Sequence, residues 1–463
     1  MSRTVSSAEL LTRVHDRSAM DARLIHLEVK PAERPVEDQA DRLLRFRLPL
    51  SSGFVDLQIE SSTGQYTLYA SASDEDLARI LRNVLLPYAE LNDTPREQLK
   101  LTALGPGPTV TQVLSALAGW GQLIQRHIYR YQLIAEGRVA PSEDIALVYW
   151  WDERANFGDT AGPWLVNAMT GRDVVNVRRT RARGQAVATV GSLFQMSSRD
   201  KTSFWGTGLL YPPTPGQLRR LKKLKSVSVH AVRGPKTRQV LQEQLGWDVP
   251  EIYGDPALLF PRYLPVGRDE RETERIAFIP HRHHWKYFAD GLPSRVNMLS
   301  VADDVATVVR AIATASVCVS TSLHGVIFAQ AYGVPWVWLN VEDDALKGGD
   351  FKFQDFFGTL CSADVAQVNV SRREVNALDL EKVAAHATLP ELRIDLDELE
   401  EAAPFLGADG PPSENGIRRT DQFDWSGIAH EDRLVAATRS LYRRQRALAK
   451  RAFRGLRHRK RHS

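Results

Sequence analysis

Along the first 140 residues, apolar and polar positions mostly alternate. The segments R-L-I-H-L-E-V-K, L-R-F-R-L-P-L, F-V-D-L-Q-I-E and Q-Y-T-L-Y-A-S, starting at residues 23, 44, 54 and 65, carry the period of half-buried antiparallel strands. The period then lengthens to that of helices near Asp74–Leu91 and over Val110–Ala135. Asp74 fits an N-cap, with Glu75 and Asp76 in the first turn. No chemistry-bearing constellation stands out here, so residues 1–140 are read as an accessory α+β region.

The pattern changes between Ser142 and Arg373. Short apolar runs (I-A-L-V-Y-W-W, V-V-N-V, A-V-A-T-V-G, K-S-V-S-V-H-A-V, I-A-F-I-P-H, V-C-V-S-T and P-W-V-W-L-N) alternate with helical segments. Such alternation predicts parallel sheets covered by helices on both faces. The span is long for one such sheet. Pro265, Gly267 and a run of charges near 261–275 divide it into two Rossmann-like lobes, 142–262 and 273–400. Ligands of such sheets bind at the carboxyl ends of the strands, so a cleft between the lobes is the expected site. Leu389–Leu399 reads as a helix, Gly407–Gly416 as a loop, and 428–463 as a basic helix or tail.

Composition narrows the class. Hydrophobic content of 43% and charged content of 25% are those of a soluble globular protein. Two cysteines in 463 residues, Cys318 within an apolar run, cannot form a disulfide framework, and a reducing cytosol is the simplest reading. The first 20 residues lack the apolar core of a signal peptide, and no run is long enough to span a membrane. The net charge of +4 is uneven: Arg433–Arg461 holds 12 Lys and Arg with no Asp or Glu, leaving a mildly acidic body. Leu434, Leu441, Leu448 and Leu456 recur there at near-heptad spacing. An amphipathic helix on an anionic membrane surface and a solvated tail both fit this pattern. Nucleic acid is not expected, since no recognition motif accompanies the charge.

Four strand ends carry polar groups that a purely structural turn does not need. After the first strand of the lobes comes Asn156-Phe-Gly158-Asp159-Thr160. Gly158 allows close backbone approach, while Asp159 or Thr160 can cap the following helix. At V-R-G-P-K-T-R, Pro235 marks a helix start beside Arg233 and Lys236, a combination suited to a phosphate or carboxylate. In Y-G-D-P, Asp255 serves either base chemistry or a turn cap. In T-S-L-H-G, Ser322, Leu323, His324 and Gly325 sit where a buried strand turns directly into a helix, placing a titratable imidazole at the strand's carboxyl end. His281, His283 and His284 match no zinc-binding spacing and have no cysteine beside them, so no metal is expected and His281 is read as facing a ligand. The aromatic run Phe351–Phe357 reads as core, with Lys352 reaching toward the cleft.

Six of these pieces (N-F-G-D-T, A-V-R-G-P-K-T-R, G-D-P-A-L-L-F-P, I-P-H, S-L-H-G-V-I-F-A-Q-A-Y-G-V-P and K-F-Q-D-F) occur in the order found in polysaccharide pyruvyltransferases of the succinoglycan ketal-forming type, which this half of the chain resembles. The resemblance implies a GT-B-like fold and transfer of pyruvate from phosphoenolpyruvate to two hydroxyls of a glycan or lipid-linked oligosaccharide, with no cofactor. It implies His324 as general acid or phosphate binder, Arg233 as donor clamp, Asp159 or Asp255 as base, and Asn156, Gly158, Ser322, Leu323, Gly325, His281 and Lys352 as substrate contacts. Family members often carry arginine where this chain has Ser322. The expected setting is the cytoplasm or the inner membrane face. A sugar-nucleotide glycosyltransferase on the same scaffold is the nearest alternative, but no acidic ribose-binding residue is identified for it. A non-catalytic adaptor acting through the tail is the alternative from another class.

Overall fold

A computed structural model describes most residues between 7 and 405. Residues 1–6, 32–41, 86–98, 268–274 and 406–463, with some shorter stretches, lie outside the description. The expected helix at Asp74–Leu91 falls mostly there, and the basic tail wholly so. Residues Met1–Ile417 form one compact unit.

The N-terminal region contains α1 (Ser7–Ser18), an antiparallel sheet and α2 (Val110–Ala135). The sheet runs in sequence order: β1 (Lys30–Pro31), β2 (Arg42–Leu50), β3 (Gly53–Ser62), β4 (Gln65–Ala72) and β5 (Leu99–Pro106). The alternation in β2 and β4 puts Leu44, Phe46, Leu48, Tyr66, Leu68 and Ala70 inside. Of the expected strand at 23–30 only three residues are described: Leu24 is helical, Leu27 lies in a turn, and Lys30 pairs with Arg47 of β2. Thr109 caps α2 through a reciprocal box with Gln112.

The second sheet is parallel, in the order β10-β9-β8-β6-β7, from β6 (Ile145–Tyr149), β7 (Asp173–Asn176), β8 (Ala186–Ala188), β9 (Thr202–Trp205) and β10 (Val227–Ala231). The third is also parallel, in the order β12-β11-β13-β14-β15, from β11 (Ile276–Ile279), β12 (Val296–Met298), β13 (Val317–Ser320), β14 (Trp336–Val341) and β15 (Gln367–Val370). The uniformly buried β6 and β11 show why their sequences lack alternation: both faces are covered.

Five helices position the site: α3 (Phe157–Thr170), α4 (Pro235–Leu245), α5 (Val305–Ala313), α6 (Leu323–Ala331) and α7 (Phe351–Phe357). One apolar core joins both sheets through α3, α5 and α6; it holds Phe157, Trp164, Val305, Val326 and Phe328, with the Phe157 and Phe328 rings 5.7 Å apart. Phe157 N–H also donates to Val301 O at 2.8 Å. The aromatic run is core as expected, with Phe353 stacked on Trp338 at 4.3 Å. The expected Leu389–Leu399 helix is replaced by a short one, Leu396–Glu401. Asp395 caps it, while the residues before it are spent on bridges Trp336–Thr388 and Leu360–Leu392 and on Pro390 O, which accepts from Gln330.

Candidate functional site

Strand ends of both parallel sheets converge on one group of polar side chains. Asp159 follows β6, His281 follows β11, His324 follows β13 and Lys352 follows β14. All four keep some exposed surface. The N-F-G-D and S-L-H-G turns meet directly: a Cβ on Gly158 would lie 2.0 Å from His324 Nδ1, so only glycine lets the imidazole rest on this backbone. Phe157 adds an edge contact, with ring centroids 6.4 Å apart. His324 Nε2 is buried with no hydrogen-bond partner.

The charges of this group act on one another. Burial pushes the Asp159 carboxyl up to about 7, opposed by the positive charges of Lys352 and Arg178. Burial and then Lys352, Arg233 and His281 pull His324 down to about 3. His281 falls to about 3 for the same first two reasons, burial and Lys352. Lys352 itself drops to about 8, through burial and then the Arg233 charge, with Asp159 opposing. At neutral pH both imidazoles are therefore uncharged, Lys352 is mostly cationic, and Asp159 is poised near half-protonation.

Several expected residues hold other positions. Arg233 is fully buried and engaged by the chain itself. Its Nε donates to Asp355 Oδ2 at 3.1 Å, Nη1 to Ser192 Oγ at 2.9 Å and Nη2 to Leu209 O at 2.7 Å. The anion site anticipated at the start of α4 is filled by the same carboxylate, since Thr237 N–H donates to Asp355 Oδ1 at 2.8 Å and Thr237 Oγ1 to Oδ2 at 2.6 Å. Asp355, on α7, thus binds the two sheets' helices together. Gly234 is required at this contact, because a Cβ there would fall 1.9 Å from Asp355 O. Neither Asp159 nor Thr160 caps α3. Asn156 does so, accepting from Gly158 N–H at 3.0 Å, and Thr160 bonds back to Asn156 O. Asp255 caps a short 3-10 turn through Ala257 N–H at 3.1 Å. It is enclosed, its Oδ2 has no hydrogen-bond partner, and burial lifts it to about 6.

The start of α6 differs from that of α4. No side chain caps it. Ser322 is buried and its N–H is taken by Ser320 Oγ at 3.0 Å, while the Leu323 side chain belongs to the core. Gly325 gives way to that serine, since a Cβ would lie 2.3 Å from Ser320 Oγ. His281 N–H donates to Thr321 Oγ1 at 2.6 Å, tying the two strand ends together.

Sequence reading missed three participants. Asp355 lay within a run read as packing. Arg178 lies 3.8 Å over the Trp151 ring and pairs with Asp152 at 3.2 Å and Glu153 at 2.8 Å. Asp344 reaches His283 across 61 residues. Of these, Asp355 alone had a local signal, a carboxylate inside an otherwise apolar helix face. The open concavity lined by Arg262 and Leu392–Asp397 contains none of the cluster's groups.

The fold and site define an α/β protein with a titratable cluster at the carboxyl ends of two parallel sheets. Residues 190–343 match the family described as Polysaccharide pyruvyl transferase. The chain is 26% identical over 216 residues to Uncharacterized protein L143 of Acanthamoeba polyphaga mimivirus, covering 45% of this chain and 72% of that protein. It is likewise 26% identical over 222 residues to the Succinoglycan biosynthesis protein ExoV of Rhizobium meliloti (strain 1021), covering 46% of this chain and 64% of that one, just under two thirds of its length. The family resemblance read from the motifs holds for this central segment. Asp159 and Lys352 lie on either side of the matched residues, and the fold returns both to it. No helix among the described residues is long and apolar enough to cross a membrane.

Proposed function

We infer that this protein transfers the pyruvyl group of phosphoenolpyruvate to two hydroxyls of one sugar in a glycan or glycan precursor, forming a cyclic ketal and releasing inorganic phosphate. The observation that carries this reading is the meeting of Asp159, His281, His324 and Lys352 at strand ends of two sheets. In the reaction, C3 of the donor gains a proton and C2 becomes oxocarbenium-like. One hydroxyl adds at C2, phosphate leaves, and the second hydroxyl closes the ring. Two hydroxyl protons are lost, one proton enters the methyl group, and one departs on phosphate.

The electrostatics divide the roles. Lys352 and the uncapped start of α6 take the donor's anionic groups. Arg233, already paired with Asp355, supports that region's positive potential rather than clamping the donor alone. Asp159 is the acid to C3, because its carboxyl keeps a proton near neutral pH. Neutral His324, with its unpartnered Nε2, hydrogen-bonds and orients the attacking hydroxyl, whose proton passes to the departing phosphate. Asp152 and Arg178, whose charges act on Asp159, would face the acceptor in this reading. The reading calls on no cofactor. A lipid-linked acceptor at an anionic membrane surface would suit the basic tail.

The test is incubation with phosphoenolpyruvate and sugars bearing paired hydroxyls, following phosphate and the ketal methyl resonance. One phosphate per ketal is expected. Turnover of a nucleotide sugar without either product would overturn the reading in favour of glycosyl transfer.

A further inference from the structure

The loop after β11 and the loop after β14 approach each other across the end of β13, which lies between those strands in the sheet. Three ligand-capable residues meet there. One ring nitrogen each from His283 and His284 and a carboxylate oxygen of Asp344 lie within 4.8 Å of one another. We propose that His283, His284 and Asp344 bind a divalent transition-metal cation of the zinc class, with water completing the shell.

Each ligand is prepared for this. His284 Nε2 faces Asp344 O at 2.9 Å, and since a carbonyl can only accept, that nitrogen carries the hydrogen. The lone pair is therefore on Nδ1, which is buried and has no partner. A metal-binding imidazole is fixed in just this way, by donating its other nitrogen to a backbone carbonyl. His283 Nε2 and Asp344 Oδ1 stand 2.8 Å apart, bridged by one proton that a cation can replace. Tyr287 OH donates to the other carboxylate oxygen at 2.6 Å, which orients Asp344 and leaves Oδ1 for the metal. Lys286 Nζ lies 3.8 Å from that same Oδ2 and is well exposed, free to swing away as the cation enters. The His283 side chain is 47% exposed, giving an entry path from solvent. Two imidazoles and one carboxylate suit zinc better than calcium or magnesium, which favour oxygen ligands. The sequence offered three nearby histidines, His281, His283 and His284, in no zinc-binding spacing; the fold brings a carboxylate to two of them from 60 residues away.

The site would act as a brace. His283 N–H donates to His281 Nδ1 at 3.2 Å, and His281 is tied to Thr321, three residues before His324. A cation joining the two flanking loops fixes His281 without touching the reacting groups.

The full chain, stripped with a chelator and dialysed, is titrated with Zn2+ and, for its visible spectrum, with Co2+. One equivalent is expected to bind, to give ligand-field bands of a four-coordinate site and to raise Tm. His283→Gln and Asp344→Asn each remove a ligand and should weaken binding by more than the roughly 10- to 100-fold lost when only a hydrogen-bond partner of a ligand is altered. His386→Gln, at an exposed histidine elsewhere, should leave it unchanged. His283 is exposed enough for its variant to fold, so a loss of binding there reports the site. Absence of a saturable site in the unaltered chain, or binding that neither variant weakens, overturns the proposal. The outcome does not depend on pyruvyl transfer.

Discussion

Replacing Asp355 with alanine tests how the two parallel sheets are joined. The carboxylate is fully buried and receives Arg233 Nε at 3.1 Å, Arg233 Nη2 at 3.0 Å, Thr237 N–H at 2.8 Å and Thr237 Oγ1 at 2.6 Å. Its removal leaves a buried guanidinium without its counter-charge, which costs about 3–5 kcal/mol in comparable sites. It also orphans an amide at the start of α4, worth about 1–3 kcal/mol, though the two losses overlap because both bonds end on one group. We take about 4 kcal/mol for the sum. The unit Met1–Ile417 has an unfolding entropy of about 0.9 kcal/mol/K by residue scaling, so Tm falls by about 5 °C. Asp355→Asn keeps an acceptor for Thr237 and should lose less. The double variant Arg233→Met with Asp355→Leu removes the stranded charge and should recover much of the loss, as apolar replacement of buried pairs commonly does. Differential scanning calorimetry checks all three. A drop below about 1 °C for Asp355→Ala, the equivalent of a surface pair, would refute the account of Asp355 as the buried link between α4 and α7.

The other expectations concern the cluster. Gly158→Ala drives a methyl into the His324 ring and should abolish pyruvyl transfer while circular dichroism stays unchanged. Turnover should fall as pH rises through about 7, because the raised Asp159 pKa leaves its acid form dominant only below that point; a pH–rate profile of Asp159→Asn should show no such limb. The same shift favours the folded state at low pH and is lost as pH rises from the ordinary carboxylate range through about 7. Asp159→Asn should therefore gain more Tm relative to the parent at pH 8 than at pH 5. Lys352→Met should raise KM for phosphoenolpyruvate more than it lowers kcat, and the parent's KM should climb above about pH 8, where Lys352 loses its charge.

What the sequence disclosed follows from the range over which each signal acts. Hydrophobic period and strand-to-helix turns are local, so β6, β11, β13 and α2 stand where the pattern puts them. Short strands with polar residues, such as β9, β12 and β15, gave no such period and were missed. The site divides the same way. Gly158 and His324 each announce a special turn, but only the fold reveals that one glycine exists to admit the other's ring. Arg233 shows the opposite limit. A basic residue before a helix start reads as an anion site, and physically it is one. Its anion, however, comes from Asp355, 122 positions away, and neither local spacing nor charge count can distinguish a ligand's carboxylate from the chain's own. Arg233 is thereby spent within the chain, and Lys352 is the cation of the cluster that no carboxylate holds at ion-pair distance among the described residues. Ser322, just before α6, brings no charge to the cluster, whose cation Lys352 comes from α7 instead.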